Sequence, residues 1–266
     1  MTSRPFSSRG HTLLEMTIAL ALALGLLIVT ASLSLYRAQR AAFERAADAA
    51  RIHDAGSIAL DMLGQQIQMA GFASGHDRTA SVEAPVFGCA QGRVVGTEAA
   101  ATCESLSSRS DGVQLRYAAD AVSTWPSSAS VPTDCIGQAV SDPMVTNRFY
   151  AKASTSTGEP ELYCEGGGKQ AQPVVEGIER IRLMVWVTGS ASALDASAVA
   201  RDRWRDAYAT DICVLVRGFA QQAKRRTTYI DCTGAPAYAD DGRARQTFWR
   251  RVAIRNAPAA ASGGAQ

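Results

Sequence analysis

Residues 10–35 decide the architecture of this chain, and they read GHTLLEMTIALALALGLLIVTASLSL. From Met16 to Leu35, twenty consecutive residues carry no charge. At the helical rise of about 1.5 Å per residue, this length covers roughly 30 Å, which is the thickness of bilayer hydrocarbon. The stretch is therefore predicted to span a membrane.

One acid, Glu15, lies directly before the uncharged run. A carboxylate at that depth costs on the order of 3 kcal/mol unless it meets a cation. We therefore expect a positively charged partner for Glu15.

The ten residues before this helix contain Arg4 and Arg9 but no acid, and they end at Gly10. An ordinary secretory signal is cut after its apolar core, whereas the features here precede the core. The pattern RGHTLLE, at positions 9–15, resembles the cleavage and methylation motif of type IV prepilins. In that family a membrane peptidase cuts after the glycine and methylates the new amino group. The resemblance implies cleavage between Gly10 and His11 and N-methylation of His11, although the family usually has Phe or another apolar residue at that position.

The same resemblance gives Glu15 a partner. In the family, the equivalent acid pairs with the free amino terminus of a neighbouring subunit during filament assembly. Two alternatives remain: a plain signal anchor with Glu15 at the membrane edge, and conventional signal cleavage near the small residues Thr30, Ala31 and Ser32.

Composition indicates a folded protein, with 47% hydrophobic and 20% charged residues in 266. The roughly 200 residues beyond the membrane-anchoring helix are enough for one sizeable domain or two small ones. The formal net charge of +2 is too small to imply a polyanionic partner, so no specific nucleic-acid binding is expected.

Six cysteines all lie beyond the predicted span, in the part expected outside the cytoplasm. An even number in an oxidising compartment indicates disulfides, and the absence of C-x-x-C argues against a thioredoxin-type site or a zinc knuckle. Fifteen pairings are open. We prefer the sequential one because two of the cysteines lie in or beside consecutive predicted strands. The preferred pairs are Cys89 with Cys103, Cys135 with Cys164, and Cys213 with Cys232.

The apolar helix is predicted to continue out of the membrane, from about Thr12 to Ala70, and to end at Gly71. Residues 36–70 contain no proline, and their apolar residues recur at steps of three and four, which is typical of an amphipathic helix. The stripe comprises Ile52, Ala55, Ala59, Met62, Leu63, Ile67 and Ala70.

Strand patterns begin after residue 110, and residues 72–110 are predicted to form an irregular connection. Residues 174–188 carry the strongest alternation and are predicted to form one long strand, with a bulge or bend at Gly177. Residues 190–208 are predicted to form a loop with a short helix. The other predicted strands cover 113–117, 148–152, 161–164, 211–220, 227–232 and 247–256.

Several short segments resemble, more narrowly, the PilW family of minor pilins. They are Met69–Phe72, Asp111–Val113, Val174–Glu179, Val214–Arg217 and Arg250–Asn256. The resemblance implies a minor subunit that primes pilus assembly together with other minor pilins and sits at or near the tip.

Catalytic patterns are not evident, and neither a cofactor nor a metal is expected. The three histidines, His11, His53 and His76, fit no triad or metal motif. Asp240–Asp241–Gly242 lacks the spaced acids of a calcium loop and is predicted to form a hairpin turn. Lys224–Arg225–Arg226 is predicted to be a solvated turn, with DNA or an acidic partner as the alternative. Trp186, Trp204 and Trp249 are expected in the core or in helix–sheet contacts, and the alternative for an exposed one is a subunit interface.

These patterns predict an α+β protein with the type IV pilin fold: a long N-terminal helix, half transmembrane and half amphipathic, packed on an antiparallel sheet with disulfide-stapled loops. The expected divisions are a cleaved leader (1–10), a transmembrane half (11–35), an amphipathic half (36–71), a periplasmic head (72–256) and a disordered tail (257–266).

The resemblance implies a subunit of the inner membrane that later enters an extracellular filament and supports pilus biogenesis, twitching motility and adhesion. Its partners would be other minor pilins, the major pilin, the prepilin peptidase, the inner-membrane assembly machinery and a tip adhesin. A minor pseudopilin of a type II secretion system is the nearest alternative. A signal-anchored periplasmic enzyme or binding module is a further one.

Overall fold

The computed structural model of the protein describes residues 12–73, 84–97, 100–120, 123–167, 170–220 and 225–257. The chain divides into two units, Met1–Asp48 and Ala49–Gln266, which are described separately below. The expected leader, including Gly10 and His11, lies outside the described residues. So do His76, Lys224 and the tail from residue 258.

A single α-helix, α1, extends from Leu13 to Met69, which confirms the helix predicted from the sequence. In the described part of the chain, α1 is the one helix long and apolar enough to cross a membrane, and every residue of its apolar window is exposed. Gly71 adopts a φ of 77°, a left-handed conformation that suits glycine. Its amide donates to the carbonyl of Arg116 at 2.8 Å, so the end of the helix is tied to the head.

Within the second unit, the helical part of α1 buries the predicted apolar stripe. Ala59, Leu63 and Ile67 are fully buried, and Ile52 is nearly so. They share one core with residues of the strands described next, including Leu115, Phe149, Leu183 and Ile212. The amphipathic pattern therefore predicts the face of α1 that packs against the strands of the head.

The described residues form thirteen strands and two short 3₁₀ helices, at Ala196–Ala198 and Arg201–Asp206. The strands are β1 (Val86–Cys89), β2 (Gly92–Val95), β3 (Thr102–Ser105), β4 (Gly112–Ala118), β5 (Met144–Ala153), β6 (Pro160–Gly166), β7 (Gln172–Glu176), β8 (Ile178–Val187), β9 (Leu194–Asp195), β10 (Ala207–Arg217), β11 (Thr227–Ile230), β12 (Pro236–Ala239) and β13 (Arg245–Ala253).

The strands form two larger antiparallel sheets rather than the single sheet expected. The first has the order β1-β4-β5-β6-β7 and the second the order β13-β10-β8-β9, while β2-β3 and β11-β12 form separate hairpins. Residues 86–105 also correct the prediction of an irregular connection, because they form three strands. These strands are only four residues long, too short to show a clear alternation.

Gly177 divides the predicted long strand 174–188 into β7 and β8, which belong to different sheets. Its φ of 84° places it in the left-handed region, where the chain turns sharply. Its amide donates to the carbonyl of Pro160 at 2.7 Å, and its carbonyl accepts from Arg217 at 2.8 Å. The bend was predicted correctly, but the continuous strand was wrong.

Asp111 joins the two larger sheets. Its amide donates to the carbonyl of Ile181 at 2.9 Å, and its carboxylate accepts from the amides of Gln91 and Leu183, both at 2.8 Å. Next to it, the Ser110 hydroxyl accepts from the Ile181 amide at 3.0 Å. Burial raises the pKa of the Asp111 carboxyl, and the two amides that it accepts from act against this rise. Asp111 therefore has an interior structural role.

Candidate functional site

Glu15 caps the first turn of α1. The backbone amide of Thr12 donates to Glu15 Oε2 at 3.0 Å, and the amide of Glu15 reaches back to Thr12 Oγ1 at 3.4 Å. This reciprocal pair is a capping box, in which two side chains satisfy backbone amides that the helix cannot. The carboxylate also lies in the first turn of the helix, where an acid interacts favourably with the helix dipole.

Sequence reasoning missed this second role of Glu15. The signal was present as T-x-x-E at residues 12–15, followed by an apolar run. Glu15 therefore has a structural explanation beside the one that the prepilin resemblance implies. The cleavage pair Gly10 and His11 lies outside the described residues, so the cleavage and methylation sites stay predictions.

The six cysteines form three disulfides in the sequential pairs preferred from the sequence: Cys89–Cys103, Cys135–Cys164 and Cys213–Cys232. The first links the end of β1 to β3, the outer strand of the β2–β3 hairpin. The second ties the long β4–β5 connection to β6. The third fastens the β11–β12 hairpin to β10, where Tyr229 packs beside Leu215. Each disulfide therefore holds a peripheral segment to a sheet.

In the segment Asp240–Asp241–Gly242, two arginines donate hydrogen bonds to the Asp241 carboxylate. Arg245 donates to Asp241 Oδ1 at 2.9 Å and to Oδ2 at 2.8 Å, and the amide of Arg243 also donates to Oδ1. These hydrogen bonds, led by that from Arg245, hold the pKa of Asp241 well below its usual range. Both carboxylate oxygens are therefore engaged within the chain. The predicted hairpin turn is wrong, because β12 and β13 on either side of this segment belong to different sheets and pair with β11 and β10.

Trp186 and Arg251 lie on the face of the four-stranded sheet that is opposite the helix. Arg251 makes a forked ion pair with Asp211 and places its guanidinium 4.4 Å from the centre of the Trp186 ring. The indole of Trp186 donates to the same carboxylate at 3.0 Å. Trp249, on the same face, is 49% exposed. Neither Trp186 nor Trp249 belongs to the core or to a helix–sheet contact, which corrects the expectation for both.

The described residues contain no group of three or more histidine, cysteine, aspartate or glutamate side chains arranged to hold a metal. His53 is exposed on α1 and meets the Phe248 ring edge-on at 5.8 Å. Trp204 is 1% exposed and lies fully in the core, as expected. Of the basic turn, Arg225 and Arg226 are described, and both are exposed. Arg226 lies 4.4 Å from the centre of the Tyr238 ring and 3.8 Å from Asp240.

Comparison with known proteins gives one match. Residues 148–256, from the middle of β5 to just beyond β13, match the family model of Type IV Pilus-assembly protein W. No curated protein and no solved structure matches the chain. The matched segment does not include the prepilin-like pattern at residues 9–15, so the two observations are independent. The resemblance drawn from the sequence is thereby confirmed: this chain is similar to the PilW family of type IV pilus-assembly proteins.

Proposed function

We propose that this protein is a minor pilin of a type IV pilus, which primes filament assembly and is incorporated at or near the tip. The observation that carries the proposal is that one chain joins a head similar to PilW to an apolar helix that begins with a prepilin-type acid. The same match favours a pilus over the type II secretion system that the sequence left open. In both systems the N-terminal features would look alike.

The exposed apolar surface of α1 suits two environments, which the chain occupies one after the other. Before assembly it lies in lipid, as its length and composition allow. After the leader is removed between Gly10 and His11, it exchanges lipid for the apolar helices of neighbouring pilins. The surface stays out of water throughout, so leaving the bilayer carries no large hydrophobic cost.

Glu15 sets the register of this exchange. A carboxylate oxygen accepts more than one hydrogen bond, so the capping contact with Thr12 is compatible with an added ion pair. The amino group of a neighbouring pilin meets Glu15 only when the two helices are correctly staggered. Wrong staggers leave the charge without that partner in an apolar surrounding, which is strongly unfavourable.

Two substitutions separate this role from capping. Glu15→Gln keeps a side-chain oxygen that caps Thr12 but removes the charge, whereas Glu15→Ala removes both. If the intersubunit ion pair is required, both variants are inserted in the membrane at normal levels and both are absent from sheared pili. The measurement is immunoblotting of membrane and pilus fractions.

Normal incorporation of Glu15→Gln with loss of Glu15→Ala would assign Glu15 to capping alone and contradict the register role. N-terminal sequencing of the membrane-bound chain tests the earlier step. A mature chain that starts at a methylated His11 is expected, and an intact Met1 would refute processing as a pilin.

A further inference from the structure

The outer edge of β13 has no partner strand. β13 pairs with β10 over all nine of its residues, and it ends the sheet order β13-β10-β8-β9. Just after β13, the amide of Ile254 donates to the carbonyl of Tyr208, on β10, at 2.9 Å. Because the direction of backbone groups alternates along a strand, the even-numbered residues of β13 bond to β10 and the odd-numbered residues face away. In the described part of the chain, no group bonds to the outward amides and carbonyls of Thr247, Trp249, Arg251 and Ala253.

The other free edges of the two larger sheets are protected in the usual ways. β9 has two residues and β1 has four, while β7 contains Pro173 and has a shift in its register with β6. β13 is nine residues long, its register with β10 is unbroken, and it contains no proline, glycine or lysine. A long and regular edge of this kind is a template for one more strand.

The edge itself identifies the occupant as an extended polypeptide. Its amides and carbonyls recur at every second residue, about 7 Å apart, and the backbone of another strand presents groups with the same spacing. Lipids and glycans carry no such row of alternating donors and acceptors. Trp249 supplies a second observation, because its half-exposed side chain lies on the outer face beside this edge. A side chain of an added strand would cover it.

Charge disfavours a second copy of this chain as the occupant. β13 contains Arg245, Arg250 and Arg251 but no acid. Two copies of β13 in an antiparallel pair would bring these guanidinium groups close to their own counterparts, which is unfavourable. The charge of β13 therefore favours an acidic strand from a different protein.

The arginines of β13 have donors left for such a strand. Arg250 bonds to α1 through Nη1 alone, and Arg251 bonds to Asp211 through Nε and Nη2. A guanidinium has five N–H donors, so both side chains can engage a further carboxylate. Arg245 already shows this capacity, because it binds two carboxylates of its own head at once.

We propose that the free edge of β13 binds an extended acidic segment of a different protein, which adds a fifth strand to the four-stranded sheet. The outward backbone groups of residues 247–253 hold the segment, its carboxylates meet Arg250 and Arg251, and an apolar side chain covers Trp249. The proposal goes beyond the proposed function and depends neither on cleavage after Gly10 nor on incorporation into a pilus. High salt should weaken the binding without abolishing it, because the backbone hydrogen bonds remain.

Hydrogen exchange in the full-length chain in detergent tests the proposal with two probe peptides as long as β13. One peptide alternates valine and glutamate, and the matched control alternates valine and lysine. The glutamate peptide should slow exchange of the outward amides of Thr247, Trp249, Arg251 and Ala253 by at least about tenfold. The even-numbered amides, which already bond to β10, should change little, and the lysine peptide should have a much smaller effect.

Three results would overturn the proposal: equal protection of odd-numbered and even-numbered amides, equal effects of the two peptides, or no protection at about 1 mM peptide. Thr247→Pro provides a variant, because it removes one outward amide while proline is tolerated where its nitrogen faces away from the sheet. It should weaken binding of the glutamate peptide, and unchanged binding would contradict the proposal. If a thermal melt shows that this variant is unfolded, the exchange pattern of the native chain decides alone.

A photoreactive residue identifies the natural partner in cells. Trp249→benzoylphenylalanine is compared with the same replacement at Trp125, which is 85% exposed and lies outside the strands. We expect a clearly stronger adduct with a different protein at position 249, and the crosslinked peptide should contain aspartate or glutamate and no proline. An adduct only with lipid, with a second copy of this chain or with a segment that lacks acids would overturn the proposal, as would equal adducts at the two positions.

Discussion

Tyr117 belongs to a buried hydrogen-bond network that links the helix to the first sheet. Its hydroxyl donates to Gln66 Oε1 at 2.9 Å and accepts from the side-chain amide of Asn147 at 2.8 Å. Asn147 also donates to Gln66 and accepts from the amide of Cys135. The three side chains thus link α1, β4 and β5 through hydrogen bonds to one another. Such a network fixes the helix at one position, because a shift of the helix would leave buried polar atoms without hydrogen-bond partners.

Burial raises the pKa of Tyr117 from 10 to about 12, which predicts an alkaline signature. The folded state favours the neutral phenol of Tyr117. The contribution of this group to the free energy of unfolding is therefore complete below pH 10 and is lost as the pH rises through 12. We expect the native chain to lose about 2 kcal/mol more unfolding free energy than Tyr117→Phe between pH 9 and pH 11.5. Urea unfolding in detergent at pH 9 and pH 11.5 measures the difference. Equal losses in the two proteins would contradict the assignment.

Gly56 allows α1 to pack closely against β13. A Cβ atom placed there would overlap the ring of Phe248, whereas one at Gly64 would lie 3.5 Å from its nearest neighbour, on Arg250. Both glycines lie in the helix interior and are similar in propensity. The difference between them is therefore one of packing alone.

This contrast predicts opposite effects for the same substitution. Gly64→Ala should stabilise the chain by up to about 1 kcal/mol because alanine is the better helix former. Gly56→Ala should destabilise it by about 1–3 kcal/mol because the core is overpacked. In a Phe248→Ala background, Gly56→Ala should become stabilising. Thermal unfolding of the four variants measures the cycle, and a destabilising Gly56→Ala that is unaffected by Phe248→Ala would refute the clash.

Asp111, which joins the two larger sheets, is predicted to be important for stability. Asp111→Ala leaves the amides of Gln91 and Leu183 without their carboxylate and should cost on the order of 2–4 kcal/mol. Asp111→Asn keeps one acceptor oxygen and no longer buries a charge, so its cost should be clearly smaller. Hydrogen exchange at the Leu183 amide should quicken in the alanine variant. Slow exchange there in both variants would show that Asp111 is not the junction.

At the scale of the molecule, three disulfides compensate for a head with many short strands and long connections. Each closes a loop, with sequence separations of 14, 29 and 19 residues, and each is worth roughly 3 kcal/mol in the chain-entropy account. Their sum is comparable to the whole stability of an ordinary domain, about 5–15 kcal/mol.

Complete reduction should therefore unfold the head at temperatures where the oxidised chain stays folded. Circular dichroism melts with and without reductant test this, with alkylation confirming six free thiols. At low reductant Cys89–Cys103 should open first, because Cys103 lies on an exposed strand while Cys213 and Cys232 are buried. An unchanged melting temperature after full reduction would contradict the prediction.

The sequence predicted the features that depend on local pattern. The helix, its end at Gly71 and most strands after residue 110 follow from periodicity and from the position of a glycine. The sequential disulfides were the preferred pairing among fifteen, and cysteine spacing alone did not select them. The division into two sheets did not follow, because strand pairing joins residues far apart, such as Arg217 and Gly177. Nor did the junction at Asp111, whose partners Gln91 and Leu183 are distant in the chain. At the candidate site, the motif around Glu15 was visible but its capping role was overlooked.

The placement of β13 has a consequence for how a newly made chain matures. This strand pairs with β10 and lies against the helix at Gly56 and Gly64, yet it is the last strand among the residues that the structure describes. While a ribosome is still producing residues 245–253, the apolar stripe that begins at Ile52 has no complete cover. The helix must therefore wait, exposed or chaperoned, for some 180 residues of synthesis, and a nascent chain stalled before β13 would be a ready substrate for quality-control proteases.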